Sequence, residues 1–170
     1  VQYPELTAAF HLRLGRLADA LAQLEFNVGL ALRWLPQETS ADNALPAGIA
    51  KWPLSERVDA LDSLLLLPSA RAKAALCKAC AEWIRQANPA RAIRYDYLHA
   101  RWSFPDAFGD DEIFVLLFPA PEHSPHDRLQ CEQKLTLRDF DRDIEEVTRL
   151  TRELIRLRNH FMTQHDGLAV

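Results

Sequence analysis

The chain has 170 residues, enough for one domain with a hydrophobic core and too few for two of ordinary size. With 48% hydrophobic and 26% charged residues it is neither a disordered nor a fibrous chain, and a formal net charge of −4 excludes binding to nucleic acid through overall charge. Three cysteines, an odd number in a chain of this length, argue against a disulfide framework and for a reducing, cytoplasmic setting, while no apolar run approaches a membrane span and no secretory pattern is read.

From Pro4 to Leu35, apolar residues at Phe10, Leu14, Leu17, Leu21, Leu24, Val28, Leu32 and Leu35 trace one face of a long helix, which Pro36 ends. The polar, proline-bearing stretch 36–54 reads as a loop. "SERVDALDSLLLL" follows as a short helix with Ser55 as its N-cap, closed by Pro68. A third helix starts at Ser69 and runs to Asn88-Pro89, where the proline predicts a kink or a restart, placing the segment after it on a short helix of its own. Cys77 and Cys80 form a CxxC inside this helix; without a second ligand pair they read as core cysteines.

After Trp102 the pattern changes. "EIFVLLF" and "LQCEQKLTL" are strand-like and expected to pair as a hairpin, the second alternating Leu129, Cys131, Gln133, Leu135 and Leu137 on one side. The proline-rich linker between them carries His123 and His126, which read as solvated loop residues rather than metal ligands. From Arg138 to about Gln164, Phe140, Ile144, Val147, Leu150, Leu154, Leu157 and Phe161 define a long amphipathic helix. The fold expected is therefore mainly α, a single helical bundle over residues 1–170 with a small β-hairpin inserted before the last long helix.

Chemistry concentrates in "RAIRYDYLHARW", residues 91 to 102. Between Ser69 and Trp102 seven basic residues stand against two acids, which marks this stretch as the place for an anion. His99 suits proton transfer near neutral pH, and Arg94, always charged and planar, suits a phosphate. Asp96, three residues before His99, shares its helix face and can hold the imidazole in one orientation. Arg94 and His99, five apart, point about 140° away from each other on a regular helix, so a shared site needs a distorted backbone, a helix end or a second subunit.

Arg94, Asp96, His99 and Trp102 within "RYDYLHARW" resemble the Arg-x4-6-His motif of HEPN domains (higher eukaryotes and prokaryotes nucleotide-binding), whose bacterial members often read RNDxxHGxW. Tyr95 and Ala100 stand where that pattern has a polar residue and a glycine, and Arg101 stands where toxins paired with nucleotidyltransferase antitoxins carry tyrosine. The resemblance implies a HEPN-like helical bundle that dimerises, the motifs of two subunits lining one cleft. It also implies a metal-independent endoribonuclease of a toxin-antitoxin or phage-defence system, needing no cofactor. Arg94, His99 and Asp96 would then be catalytic. Arg91 and Arg101 would guide substrate phosphates, and Tyr95 or Tyr97 would stack on an unpaired RNA base. The other reading is a noncatalytic HEPN-like module that binds a protein partner or a nucleotide, in which Arg94 and Asp96 satisfy one another or cap a helix end, His99 is a structural hydrogen-bonding group and Trp102 packs into the bundle.

Overall fold

A computed structural model describes residues 4–34, 48, 51–65, 74–99, 101–103, 112–116 and 132–166. Within these, the side chains of residues 4–7, 34, 99, 101, 103, 112–116, 132–133 and 161–166 are outside the description. The described chain is mainly helical. In order it forms α1 (Pro4–Trp34), α2 (Leu54–Leu65), α3 (Ala74–His99), β1 (Arg101–Ser103), β2 (Glu112–Leu116), β3 (Glu132–Thr136) and α4 (Leu137–Asp166).

The apolar periodicity of α1 and α4 is what packs them. Phe10, Leu17, Leu21, Leu24, Val28 and Leu32 from one helix, and Phe140, Ile144, Val147, Leu150 and Leu154 from the other, are all buried in one core. Leu14 and Leu157 border that core half-buried. The two helices are also laced at the surface, where Arg13 donates to both carboxylate oxygens of Asp141 at 3.0 and 3.1 Å through Nε. α3 joins through Trp83, whose indole Nε1 donates to the Leu150 carbonyl at 2.9 Å in a buried contact.

Two local expectations need correction. α3 runs unbroken from Ala74 through Pro89 to His99, so the charged segment is the last part of a long helix and not a restarted short one. Pro89 lies with Arg85 on an exposed face, and the buried Ala87 and Ala90 on either side pack the helix into the core through the proline. Helix α2 begins at Leu54, so Ser55 lies inside it. The cap is a carboxylate from far along the chain: the Leu54 amide donates to Glu25 Oε1 at 3.2 Å.

The hairpin is present as β2 paired antiparallel with β3, Ile113 opposite Leu135. A third strand not read in the sequence, β1, pairs antiparallel with the other edge of β2, Trp102 opposite Val115, giving the order β1-β2-β3. β3 passes directly into α4 through a reciprocal cap. Asp139 accepts from the Thr136 amide at 2.9 Å, and Thr136 Oγ1 accepts from the Asp139 amide at 3.3 Å. The Thr136 amide is also the main reason the Asp139 carboxyl titrates below its ordinary value. Leu129 and Cys131, the start of the alternation read for this strand, lie outside the described residues, as do His123 and His126.

At the sheet end of the bundle, Trp102 of β1 packs into an aromatic cluster. Its ring centroid is 5.0 Å from Phe10, 5.5 Å from Tyr97 and 5.4 Å from Phe140. Tyr97 meets Phe140 edge-on at 4.8 Å. This cluster fixes the end of α3 against α1 and α4.

Candidate functional site

Arg94 points from α3 towards α1, where its guanidinium Nε pairs with Glu25 Oε1. Both side chains reach the surface, Arg94 at 29% and Glu25 at 19% exposure. Glu25 thus serves two helices: the same carboxylate oxygen that holds Arg94 caps the first turn of α2. The buried Arg57 completes the junction, donating from Nε to the Trp52 carbonyl at 2.7 Å and from Nη1 to the Glu25 carbonyl at 2.5 Å. Gly29 makes room for it, since a Cβ there would stand 3.3 Å from Arg57 Nη1. Arg94 therefore does not pair with Asp96; its partner is the α1 carboxylate.

Part of the positive excess read in the sequence is met in the same way. Arg91 forks onto Asp59 of α2, with contacts of 2.8 and 3.0 Å, and Arg85 pairs with Glu82 one turn earlier at 2.6 Å. A bidentate arginine held by a neighbouring helix is positioned by that helix and is less available to a passing phosphate. The phosphate-guiding role expected of Arg91 would require it to leave Asp59.

Asp96 lies half-buried, and burial raises its carboxyl pKa above the ordinary 3.8. The helix backbone continues through His99, so positions 96 and 99 stay one turn apart on one face, while 94 and 99 diverge by about 140°. The continuous helix removes a distorted backbone from the three ways in which Arg94 and His99 were expected to meet, and the helix end is present, since α3 stops at His99 itself. The side chains of His99 and Arg101 lie outside the described residues.

Of the two tyrosines, Tyr95 is exposed at 44% and can meet a ligand. Tyr97 is buried, and its hydroxyl donates to Asp143 Oδ2 at 2.7 Å. Burial first, and the Asp143 carboxylate second, push its phenol pKa well above the ordinary value. The base-stacking role expected of Tyr97 does not fit this position: its ring is already packed on Phe140 and Trp102. Asp143 is itself held by Arg142 Nε at 3.0 Å, so the pair is an internal brace of the bundle.

Next to the Arg94–Glu25 pair a groove of about 240 Å³ opens on the outer side of α1, lined by Ala22, Glu25, Phe26, Gly29, Leu30 and Arg33, with Arg57 of α2. Phe26, exposed at 63%, stands at its edge. Sequence reasoning missed Glu25, Phe26, Arg33 and Arg57. Nothing local marks Glu25 or Arg57, whereas Phe26 carried a signal of its own, an aromatic off the apolar stripe of α1.

Cys77 is half-buried and Cys80 buried, both unbridged, and burial, with Cys77 alongside, pushes the Cys80 thiol up to about 12. Among the described residues no three His, Cys, Asp or Glu side chains group as a metal site, and no helix is long and apolar enough to cross a membrane. No protein-family model, curated protein or solved structure matches the chain.

Proposed function

We propose that this chain is a HEPN-like, metal-independent endoribonuclease whose free form holds the motif arginine closed against Glu25. The observation that carries the reading is that Arg94, Asp96 and position 99 occupy the end of one helix, with Arg94 reaching the surface and pairing with Glu25 at the edge of an open groove, and Asp96 one turn from the histidine. The chemistry required is an internal transfer at phosphorus. The ribose 2′-oxygen bonds to phosphorus as it gives its proton to the His99 imidazole, the P–O5′ bond breaks, and the 5′-oxygen takes a proton back. RNA ends in a 2′,3′-cyclic phosphate and a 5′-hydroxyl. Arg94 stabilises the charge on the phosphorane, and Asp96 orients the imidazole. Positions 94 and 99 face apart on the helix, and in this reading the reactive pair is completed across a homodimer, each protomer offering one group to the other's.

The decisive experiment is cleavage of single-stranded or looped RNA by purified protein in EDTA, with the products' ends identified. Wild type cuts. His99→Ala does not, and Arg94→Ala loses about a hundredfold or more. Growth of a bacterial host slows on expression of wild type and not of His99→Ala. Intact RNA under these conditions, with a normal growth curve, sinks the reading.

A second reading is favoured by the ion pairs themselves. Arg94 on Glu25 and Arg91 on Asp59 tie α3 to α1 and α2, which is what a noncatalytic HEPN-like interaction module would do with its arginines. A folded wild type without RNA cleavage, in which the arginine variants lose stability and nothing else, selects this reading.

A further inference from the structure

We infer that the groove on α1 beside Glu25 is a seat for one unit of single-stranded RNA, and that Glu25 acts there as an internal substitute for the phosphate. This rests on the endoribonuclease reading only for the identity of the nucleic acid.

The argument starts from charge. Around the single carboxylate of Glu25 stand the guanidinium of Arg94, that of Arg57 along the same stretch of α1, and the amide of Leu54 at the start of α2, with exposed Arg33 at the groove's far end. Among the described residues that line the groove or pair with Glu25, three guanidinium groups stand with one carboxylate, in a chain of net charge −4. Arg57 is fixed, since two backbone carbonyls hold its guanidinium in the groove wall, so it cannot swing away to solvent.

Shape and apolar surface add a second, independent reason. Phe26 and Leu30, one turn apart, give the groove an apolar wall, and Phe26 is among the most exposed large hydrophobic side chains described. An aromatic face beside fixed cations suits a base stacked over its own phosphate, the arrangement by which single strands are held without reading their sequence. At about 240 Å³ the space falls below that of a typical site for a whole drug-sized ligand, and it suits one base with its phosphate while the strand continues along the surface. When a phosphate enters, it takes Arg94 from Glu25, and the arginine becomes available to the reacting group.

The test separates binding from cleavage. Fluorescence anisotropy is read with a short fluorescein-labelled, fully 2′-O-methylated single-stranded RNA, which binds like RNA and has no 2′-hydroxyl to react. Phe26→Ala should weaken binding about tenfold, the loss expected for one stacked base. Arg33→Ala should weaken it and make it less sensitive to salt, by close to one phosphate contact. Glu25→Gln keeps an oxygen to cap Leu54 while losing the competing charge, and should tighten binding about two- to fivefold. Leu12→Ala, equally exposed on the same helix and away from the groove, should change nothing.

No binding by wild type at low salt, or unchanged affinity in both Phe26→Ala and Arg33→Ala, overturns the proposal. So does a Phe26→Ala protein that dissociates from dimer to monomer with its RNA affinity intact, because the groove is then a protein interface. Should Glu25→Gln fail to fold, Phe26→Ala and Arg33→Ala decide alone. Groove-dependent binding of the methylated strand without cleavage of ordinary RNA defeats the enzyme and leaves the seat standing.

Discussion

Whether Arg94 is chemistry or scaffold can be decided by a double-mutant cycle with Glu25. The pair is partly exposed on both sides, so water and salt screen it and its worth is about 0.5–1 kcal/mol. Arg94→Ala should cost that much and no more, since Glu25 still accepts from the Leu54 amide. Glu25→Ala removes the pair and also the cap of α2, worth about 1 kcal/mol, for a total of about 1.5–2 kcal/mol. The double variant should match Glu25→Ala, because the pair can be lost only once, giving a coupling of about 0.5–1 kcal/mol. Urea unfolding followed by far-ultraviolet circular dichroism measures all four proteins, and the coupling should shrink at high salt. A coupling above about 2 kcal/mol, or an Arg94→Ala protein that does not fold, refutes the argument: the arginine is then a strut, and lost activity in its variants says nothing about catalysis.

Asp96→Asn tests the cost of keeping a carboxyl half-buried. Its folded pKa is raised, so the folded state binds the proton more tightly and stability falls as pH climbs from about the ordinary 3.8 through the raised value. The asparagine variant should therefore be the more stable protein at neutral pH, with the difference vanishing towards pH 3 in a series of thermal melts. Cys80 should resist iodoacetamide at mildly alkaline pH until the chain is unfolded in denaturant, as peptide mass spectrometry would read, since its buried thiol scarcely ionises there. Pro89→Ala should raise the melting temperature, worth roughly 1 kcal/mol or more, because it restores a hydrogen bond to Arg85 in a helix that is already continuous. A lower melting temperature would mean that α3 depends on the proline's fixed geometry.

The mainly helical class and the stripes of α1 and α4 were legible in the sequence because burial imposes a period on a helix. Every residue from Phe10 to Leu32 read for the inner face of α1 is buried or borders the core. The β2–β3 pairing was legible from its strand-like composition, whereas β1, three residues long, is too short to show any alternation. Pro89 misled because a proline's local cost does not reveal whether tertiary packing overrides it. For the site, the segment 91–102 could be singled out from its side-chain chemistry. The partners that decide what its arginines do could not: Glu25 and Asp59 sit on other helices, and nothing about an acid on a wet helix face tells which cation the fold will bring to it.

The packing of α1 on α4 also dictates when a working protein can exist during its own synthesis. Arg13 and Asp141 are 128 residues apart, and Phe10 completes the cluster around Trp102 only together with Phe140. A ribosome-bound chain that has made α1 to α3 therefore lacks the α4 half of the core against its first helix and the Phe140 and Asp143 contacts that hold Tyr97 near the end of the third. The charged segment takes up its final placement only after α4 has left the exit tunnel.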